Sequence, residues 1–198
     1  MTESPGLAIV TLTQPGLQTA LRLAAALPGG AVVYTPAGLA VPGRVRPYQG
    51  PLSPFLGRVF NHYRGLILIM ATGIAVRALS PHLVAKEKDP AVVVVDARGQ
   101  YAISLLSGHL GGANDLARLV ASLLGGQAII TTASEVQGLP ALDLVARELG
   151  MSVWPRASFK GVMAALVNGE TVNLLVEPAL RESLARALPS LDTRPLKC

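Results

Sequence analysis

Short apolar runs alternate with stretches of helical periodicity along most of this chain. Several of the runs are apolar on both faces, which is typical of parallel strands covered by helices on both sides. The alternation predicts an α/β fold with a mainly parallel open sheet flanked by helices. The predicted strands are residues 7–12, 31–34, 66–70, 91–96, 101–105, 128–131 and 172–176. The predicted helices are residues 16–27, 52–62, 74–83, 113–124, 139–149, 159–167 and 178–188.

Turns and loops divide this pattern further. Residues 96–100 read Asp-Ala-Arg-Gly-Gln, which is typical of a turn and predicts a hairpin between the strands on either side. Residues 35–54 hold five prolines and three glycines, so we expect a long loop there. The pattern restarts after residues 134–140. We therefore expect an N-terminal α/β domain of residues 1–135 and a smaller α/β lobe of residues 136–198.

Composition limits the class of protein. Hydrophobic residues make up 51% of the chain and charged residues 15%, as in a compact globular protein. The longest apolar stretch, residues 66–76, is shorter than the roughly 20 residues that span a membrane. The first residues lack the pattern of a secretory signal, and the single cysteine, Cys198, has no partner for an internal disulfide. We therefore expect a cytoplasmic protein without membrane association.

Positive charge is concentrated in the first half of the chain. No Asp or Glu lies between residues 4 and 86, whereas this stretch holds seven basic residues. The imbalance indicates a polyanionic partner, although a dispersed solvated surface explains it equally well. Aromatic residues make up only 4% of the chain and we find no nucleic-acid-binding motif, so we expect a small polycarboxylate or phosphate rather than nucleic acid. The basic residues are Arg22, Arg44, Arg46, Arg58, Arg64, Arg77 and Lys86.

A glycine-rich turn connects a predicted strand to the predicted helix at 113–124. It contains Gly108, His109, Gly111 and Gly112. Glycine permits positive φ and lets backbone N–H groups approach a bound group closely, and the N-terminus of the following helix attracts anions. The turn is therefore a candidate anion site.

Three polar turns follow predicted strands. They are residues 71–73, with Arg77 just beyond them, residues 107–114 and residues 131–135. Ligands of open α/β sheets bind outside the carboxyl ends of the strands. If the three strands are parallel neighbours, the three turns converge on one crevice.

The turns lack the common catalytic and nucleotide-binding motifs. None shows the Gly-Lys-Ser/Thr ending of a phosphate loop or the Gly-x-Gly-x-x-Gly dinucleotide pattern, which leaves nucleotide or phosphate binding as a minor alternative. Ser107 is not part of a Gly-x-Ser-x-Gly elbow, so a serine hydrolase is not supported. The histidines His62, His82 and His109 lack metal-ligand spacing, so we expect no metal site.

His109 is the candidate general acid or base, because imidazole exchanges protons near neutral pH. The alternative is a turn histidine that hydrogen-bonds the backbone. Glu135 is a second candidate base, and its alternative is a carboxylate at the start of a helix. Arg77 points either toward a carboxylate ligand or into solvent, and Asn114 either binds a ligand or caps the helix.

Four blocks of sequence, in their order, resemble the CbiG family, the cobalt-precorrin-5A hydrolases of anaerobic cobalamin biosynthesis. The blocks are Gly-Ile-Ala-Val-Arg at 73–77, Lys-Glu-Lys-Asp-Pro-Ala-Val-Val-Val-Val-Asp at 86–96, Ile-Ser-Leu-Leu-Ser-Gly-His-Leu-Gly-Gly-Ala-Asn at 103–114 and Ile-Thr-Thr-Ala at 130–133.

The resemblance is strong over residues 65–143, and residues 154–176 resemble the middle region of the family. The family more usually has Asp and Asn at the positions of Glu135 and Gln137, which keeps the functional groups and changes their reach. Family members commonly continue into a further C-terminal domain, whereas this chain ends at Cys198. The resemblance is therefore compatible with a fragment, or with a separate polypeptide or other pathway enzymes as partners.

The resemblance implies a hydrolase that opens the δ-lactone of cobalt-precorrin-5A with water and releases acetaldehyde. It implies no cofactor, since the cobalt enters within the substrate. We expect His109 or Glu135 to activate water, and N–H groups of Gly111 and Gly112 to meet the oxyanion or a carboxylate. The alternative is a non-catalytic tetrapyrrole-binding or handover subunit that needs a C-terminal domain in trans. The predicted substrate-binding residues are Thr72, Gly73, Arg77, Lys86, Ser107, Gly108, Gly111, Gly112, Asn114, Thr131 and Thr132.

Overall fold

The computed structural model describes residues 6–85, 88–109, 111–139, 141–152, 155–187 and 193–195. The chain forms two compact units, Met1–Ile130 and Thr131–Cys198. The first unit ends shortly before the predicted domain boundary after residue 135, and that boundary stays a prediction.

The first unit contains one sheet of seven strands. In chain order these are β1 (Leu7–Thr11), β2 (Ala31–Pro36), β3 (Arg46–Tyr48), β4 (Gly65–Ile69), β5 (Ala91–Val95), β6 (Tyr101–Leu106) and β7 (Gln127–Ile129). The helices of this unit are α1 (Gln14–Ala26), α2 (Leu52–Phe60), α3 (Thr72–Leu79) and α4 (Ala113–Leu124). Across the sheet the order is β3-β2-β1-β4-β5-β6-β7, and every neighbouring pair is parallel except β5 with β6.

Helices cover both faces of this sheet. All residues of β1, β4 and β5 are buried, because their side chains pack alternately into two cores. On one face Ile9 lies in a core with Leu17 of α1 and Val120 of α4, and on the other face Val10 lies in a core with Phe55 of α2. This arrangement confirms the predicted α/β fold with a mainly parallel sheet.

Two connections between strands, the hairpin at residues 96–100 and the loop at residues 35–54, were predicted from the sequence. The predicted hairpin is confirmed, because β5 and β6 form an antiparallel pair around residues 96–100. The predicted loop at 35–54 is wrong in part, because β3 lies within it and pairs in parallel with β2. β3 is an edge strand, so Pro47 interrupts no ladder on its outer side.

The second unit is smaller and combines helices with a two-stranded parallel sheet. Val176 and Leu184 are buried there in a small apolar core. The unit is the small α/β lobe that the sequence predicts, with a short helix inside the predicted turn at 131–135. Its elements are α5 (Ala133–Val136), α6 (Leu142–Glu148), α7 (Arg156–Val167), α8 (Arg181–Ala187), β8 (Leu174–Val176) and β9 (Thr193–Pro195).

The helices of this chain are short compared with a membrane-spanning helix. The helices α1, α4 and α7 have 13, 12 and 12 residues. In the part of the chain that the structure describes, no helix is both long and apolar enough to cross a membrane.

Candidate functional site

The direction of β6 decides where the glycine-rich turn lies. β6 runs antiparallel to β5, and Leu106 at its carboxyl end pairs with Val92 near the amino end of β5. Val92 pairs in turn with Leu66 near the amino end of β4. The turn at 107–112 therefore lies where β1, β4 and β5 begin, and we call this side of the sheet the amino edge.

The turn after β4 lies at the opposite side, which we call the carboxyl edge. β4 spans five residues, so the two edges are about 13 Å apart along this strand. The predicted single crevice is therefore wrong for the turns at 71–73 and 107–114, because the sheet separates them. That prediction required parallel strands, and the hairpin reverses β6 relative to β4.

The predicted residues at the carboxyl edge lie on α3. They are Thr72, Gly73 and Arg77, and the helix begins after Ala71 with no side-chain cap and no acidic residue in its first turn. Arg77 is exposed, and its Nη1 lies 3.8 Å from the position that a Cβ on Gly73 would take. The guanidinium thus folds back toward the start of the helix. Backbone donors and a guanidinium at this position suit a carboxylate.

At the amino edge, Ser107 has a strained backbone. Its φ is 59°, the one positive φ of a non-glycine residue among the described residues. Its hydroxyl donates to the backbone oxygen of Asp89 at 2.8 Å. Gly111 packs so closely against it that a Cβ on Gly111 would lie 2.4 Å from the Ser107 Cβ. Such backbone strain costs about 1–3 kcal/mol and clusters at active and binding sites, so this turn stays a candidate functional loop of the first unit.

Backbone hydrogen bonds inside the turn use several of its N–H groups. The bonds run from Gly112 to His109, from Ala113 to Ser107 and from Asn114 to Gly108, at 2.9, 3.1 and 3.0 Å. The predicted use of the Gly112 N–H for an oxyanion is corrected, because that N–H already donates to a carbonyl of the turn. Gly112 instead supplies a φ of 83° at the residue before α4. The Gly111 N–H stays the predicted oxyanion donor.

Asn114 links the two elements on either side of the turn, β6 and α4. The residue is only 3% exposed, and its Oδ1 accepts a hydrogen bond from the Ser104 hydroxyl at 2.7 Å. This hydrogen bond between half-buried Ser104 and buried Asn114 ties α4 to β6. The side chain of Asn114 is buried where α4 packs on the sheet, and its contact with the substrate stays a prediction.

The other predicted residues divide between the two units. His109 is half-buried in the middle of the turn and stays the candidate acid or base. Glu135 is half-buried in the first turn of α5, Thr132 is the residue before that helix, and Thr131 is exposed. These three belong to the second unit, and their place in a ligand site stays a prediction. Lys86 lies outside the described residues.

The amino edge also carries basic side chains that the motifs did not assign to a site. His62 and Arg64 lie between α2 and β4, Lys88 lies before β5, and all three are exposed. The Arg64 N–H donates to the carbonyl of Gly6 at 3.1 Å, which fixes its segment beside the start of β1. The neighbouring Asp89 carboxylate accepts two backbone N–H groups at 3.1 and 3.3 Å, which offset part of its charge. The acid-free stretch between residues 4 and 86 was the available signal for His62 and Arg64, whereas Lys88 lies beyond it.

The available groups suit an anion better than a metal ion. Among the described residues, no cluster of three or more His, Cys, Asp or Glu side chains is arranged to hold a metal. Backbone donors and basic side chains lie at both edges. The fold and these groups define an α/β protein suited to a carboxylate-bearing ligand.

Known proteins similar to this chain act in cobalamin biosynthesis. Two family models match, the cobalamin synthesis G N-terminal region at residues 54–135 and the cobalamin biosynthesis central region at residues 140–194. A cobalt-precorrin-5A hydrolase from Salmonella typhimurium is 42% identical over 181 residues, which cover 91% of this chain and 51% of the relative. A cobalt-precorrin-5A hydrolase from Priestia megaterium is 36% identical over 181 residues, which cover 89% of this chain and 48% of the relative. A solved structure of a cobalamin biosynthesis protein G homologue from Sulfolobus solfataricus is 23% identical, with a TM-score of 0.49 over 88% of this chain and 49% of that chain.

The chain therefore belongs to the CbiG family of cobalamin biosynthesis, and it carries the N-terminal and central regions of that family. The resemblance of the four sequence blocks is thereby confirmed. The chain spans about half the length of the curated relatives it matches.

Proposed function

We propose that this chain acts, in the cytoplasm, as a cobalt-precorrin-5A hydrolase that opens the δ-lactone of its substrate and releases acetaldehyde. The observation that carries the proposal is the 42% identity to a cobalt-precorrin-5A hydrolase over 91% of this chain. The amino edge of the first unit supports it, because a strained turn, an imidazole and exposed cations lie there together.

The reaction needs two bond cleavages. The oxygen of water bonds to the lactone carbonyl carbon, and the ring C–O bond then breaks to give a carboxylate and an alcohol. Removal of the alcohol proton allows the neighbouring C–C bond to break, so that acetaldehyde leaves and the electron pair passes to the macrocycle, which takes up a proton. Both steps need a base, and the first also needs donors for the developing oxyanion.

The amino edge offers one group for each need. His109 accepts the proton of water and returns a proton later, which is the role that imidazole side chains take in general acid–base catalysis. The Gly111 N–H is the oxyanion donor, held in place by the tight contact of Gly111 with Ser107. Arg64 and Lys88 attract the acidic side chains of the substrate. The cobalt ion is part of the substrate and needs no ligand from the protein.

Turnover by the purified chain tests the proposal. The chain is incubated with cobalt-precorrin-5A without oxygen, and acetaldehyde is measured by coupling to alcohol dehydrogenase and NADH. The Salmonella relative, which is about twice as long, serves as the positive control. We expect acetaldehyde in proportion to enzyme. Binding of the substrate without acetaldehyde at any enzyme concentration would contradict hydrolysis by this chain and favour a binding or handover subunit.

A further inference from the structure

Four basic side chains lie around one group of aromatic rings on the side of the sheet that α2 covers. They are Arg46, Arg58, His62 and Arg64, which we call the basic corner, and all four are exposed. They come from β3, from α2 and from the segment between α2 and β4. None of the motifs in the sequence includes them.

Two of these cations are positioned by the ring of Phe55 and by its neighbour Tyr34. Arg58 lies over Phe55, with its Cζ 5.7 Å from the ring centroid. The Phe55 ring stacks on Tyr48 at 4.0 Å and packs against Tyr34 at 5.2 Å. Arg46 pairs with Tyr34 in the parallel register of β2 and β3, so the two side chains lie on the same face of the sheet. The buried Phe55 ring gives Arg58 a rigid base, and Arg46 lies beside Tyr34 on the same face.

The other two cations flank Tyr63. The His62 ring meets the Tyr63 ring edge to face, with the centroids 5.0 Å apart, and Arg64 is the next residue. The Tyr63 and Tyr34 hydroxyls are 2.7 Å apart. Because only one phenolic proton lies between the two oxygens, the second hydroxyl proton is left for another acceptor.

The charge of the basic corner is not balanced within its own part of the chain. Residues 6–85 contain no Asp or Glu, so no acidic side chain of this stretch faces the four cations. Burial, the hydrogen bond with Tyr34 and the repulsion between the two phenolate charges raise the pKa of Tyr63 to about 12, while the charge of Arg46 opposes this shift. The opposing effect of Arg46 places its guanidinium charge close enough to act on the Tyr63 hydroxyl.

We propose that the basic corner binds carboxylate groups on the periphery of the precorrin substrate while the lactone lies at the Ser107 turn. The inference rests on the proposed function and adds a recognition surface to it. β4, which follows Arg64, and β6, which precedes Ser107, are separated only by β5, so their ends lie about 10 Å apart. A macrocycle with acidic side chains on its rim is large enough to reach both. Arg46 lies further away, because β3 is three strands beyond β4 on the side opposite to β6. Guanidinium groups bind carboxylates in pairs of parallel hydrogen bonds, which favours arginine at such a surface.

Binding of a cobalt corrinoid without turnover tests this surface. Cobyrinic acid, whose side chains are carboxylic acids, is titrated into the chain by isothermal calorimetry, and cobinamide, whose side chains are amides, is the neutral comparison. The double variant Arg46→Gln/Arg64→Gln removes two charges from the basic corner. The matched control Arg22→Gln/Arg98→Gln removes two exposed charges from α1 and from the hairpin at the carboxyl edge. A single variant, Arg46→Lys, keeps the charge and removes the paired hydrogen bonds.

We expect the basic-corner variant to bind cobyrinic acid about tenfold or more weakly than the original chain does. The control variant should bind cobyrinic acid within about twofold of the original chain. Neither double variant should change the affinity for cobinamide. Arg46→Lys should fall between the original chain and the double variant. Equal losses in both double variants would overturn the proposal, because net charge alone would then explain the binding. Loss of affinity for a DNA duplex in the basic-corner variant, with unchanged cobyrinic acid binding, would also overturn it in favour of a nucleic-acid surface.

The two proposals fail in different ways. If the original chain releases no acetaldehyde but the basic-corner variant still loses cobyrinic acid binding selectively, hydrolysis fails and the recognition surface stands. If acetaldehyde release is normal and the variant binds cobyrinic acid as the original chain does, the recognition surface fails and hydrolysis stands.

Discussion

At the carboxyl edge of the first unit, α3 starts at Thr72 without a side-chain cap, and Arg77 folds back over Gly73 in open solvent. At the amino edge, the Ser107 turn is closed by its own hydrogen bonds and by a tight contact with Gly111. The start of α3 is open and has room for an added side chain, whereas the Ser107 turn has a fixed backbone geometry. Pre-organised geometry is what a reaction requires, while an open basic helix end suffices for binding. We therefore expect chemistry at the amino edge and substrate contacts alone at the carboxyl edge.

Replacing the imidazole should give the largest effect. We expect His109→Gln to lower kcat for acetaldehyde release by about 10²–10⁴, because the reaction loses its acid or base. Arg77→Gln, at the other edge, should raise KM by less than about tenfold and leave kcat unchanged. Steady-state kinetics of both variants check this. A large loss of kcat in Arg77→Gln together with normal turnover in His109→Gln would move the reaction to the carboxyl edge.

Side chains added to the two glycines should separate the edges by stability. A Cβ on Gly111 would lie 2.4 Å from the Ser107 Cβ and 2.7 Å from the Ser107 carbonyl oxygen, so Gly111→Val should lower the free energy of unfolding by about 1–3 kcal/mol. A Cβ on Gly73 would meet only the Arg77 Nη1 at 3.8 Å, and Gly73→Ala should stabilise α3 by about 0.5–1 kcal/mol. Urea unfolding of the two variants measures both values. Equal stability of the two would show that the turn is not rigid.

The hydrogen bond between Ser104 and Asn114 should contribute to the free energy of unfolding by an amount similar to or smaller than the loss expected for Gly111→Val. Asn114→Ala leaves the Ser104 hydroxyl without its acceptor, and we expect a loss of about 1–3 kcal/mol in the free energy of unfolding. The exposed neighbour Asp115, whose carboxylate is 3.6 Å from Arg118, is the control, and Asp115→Ala should cost less than about 0.5 kcal/mol. The double variant Ser104→Ala/Asn114→Ala tests the coupling. Strictly additive losses would mean that the two side chains do not act as a pair.

The smallest effect should be confined to alkaline pH. The pKa of Tyr63 in the folded chain is raised to about 12 from an ordinary value of 10, so folding favours its neutral form. The resulting stability is fully present below pH 10 and is lost as the pH rises through 12. We expect Tyr63→Phe to flatten the fall in unfolding free energy over this range, and Tyr101→Phe, at a half-exposed position, to leave it unchanged. An unaltered slope in Tyr63→Phe would show that another group causes the fall.

The periodicity of the sequence predicted nearly all of the strands and helices of the first unit, because residues that face two cores must be apolar on both sides. The edge strand β3 was missed, since Pro47 and its neighbours form a strand only when β2 supplies the pairing. The glycine-rich turn was recognised from its composition. Its internal hydrogen bonds, which use the Gly112 N–H, were not visible in the sequence, because they depend on the backbone path that Ser107 takes.

The sequence by itself determined the α/β class, the hairpin, the glycine-rich turn and the family, because each of these follows from local pattern or from an ordered set of short blocks. Only the tertiary structure decided which edge each turn occupies. Strand direction is set by pairing across the sheet, and the antiparallel pairing of β5 with β6 sends the Ser107 turn away from Thr72 and toward Arg64. The side chains around Tyr63 likewise come from segments far apart in the chain, so their common location depends on the packing of α2 and β3 against the sheet.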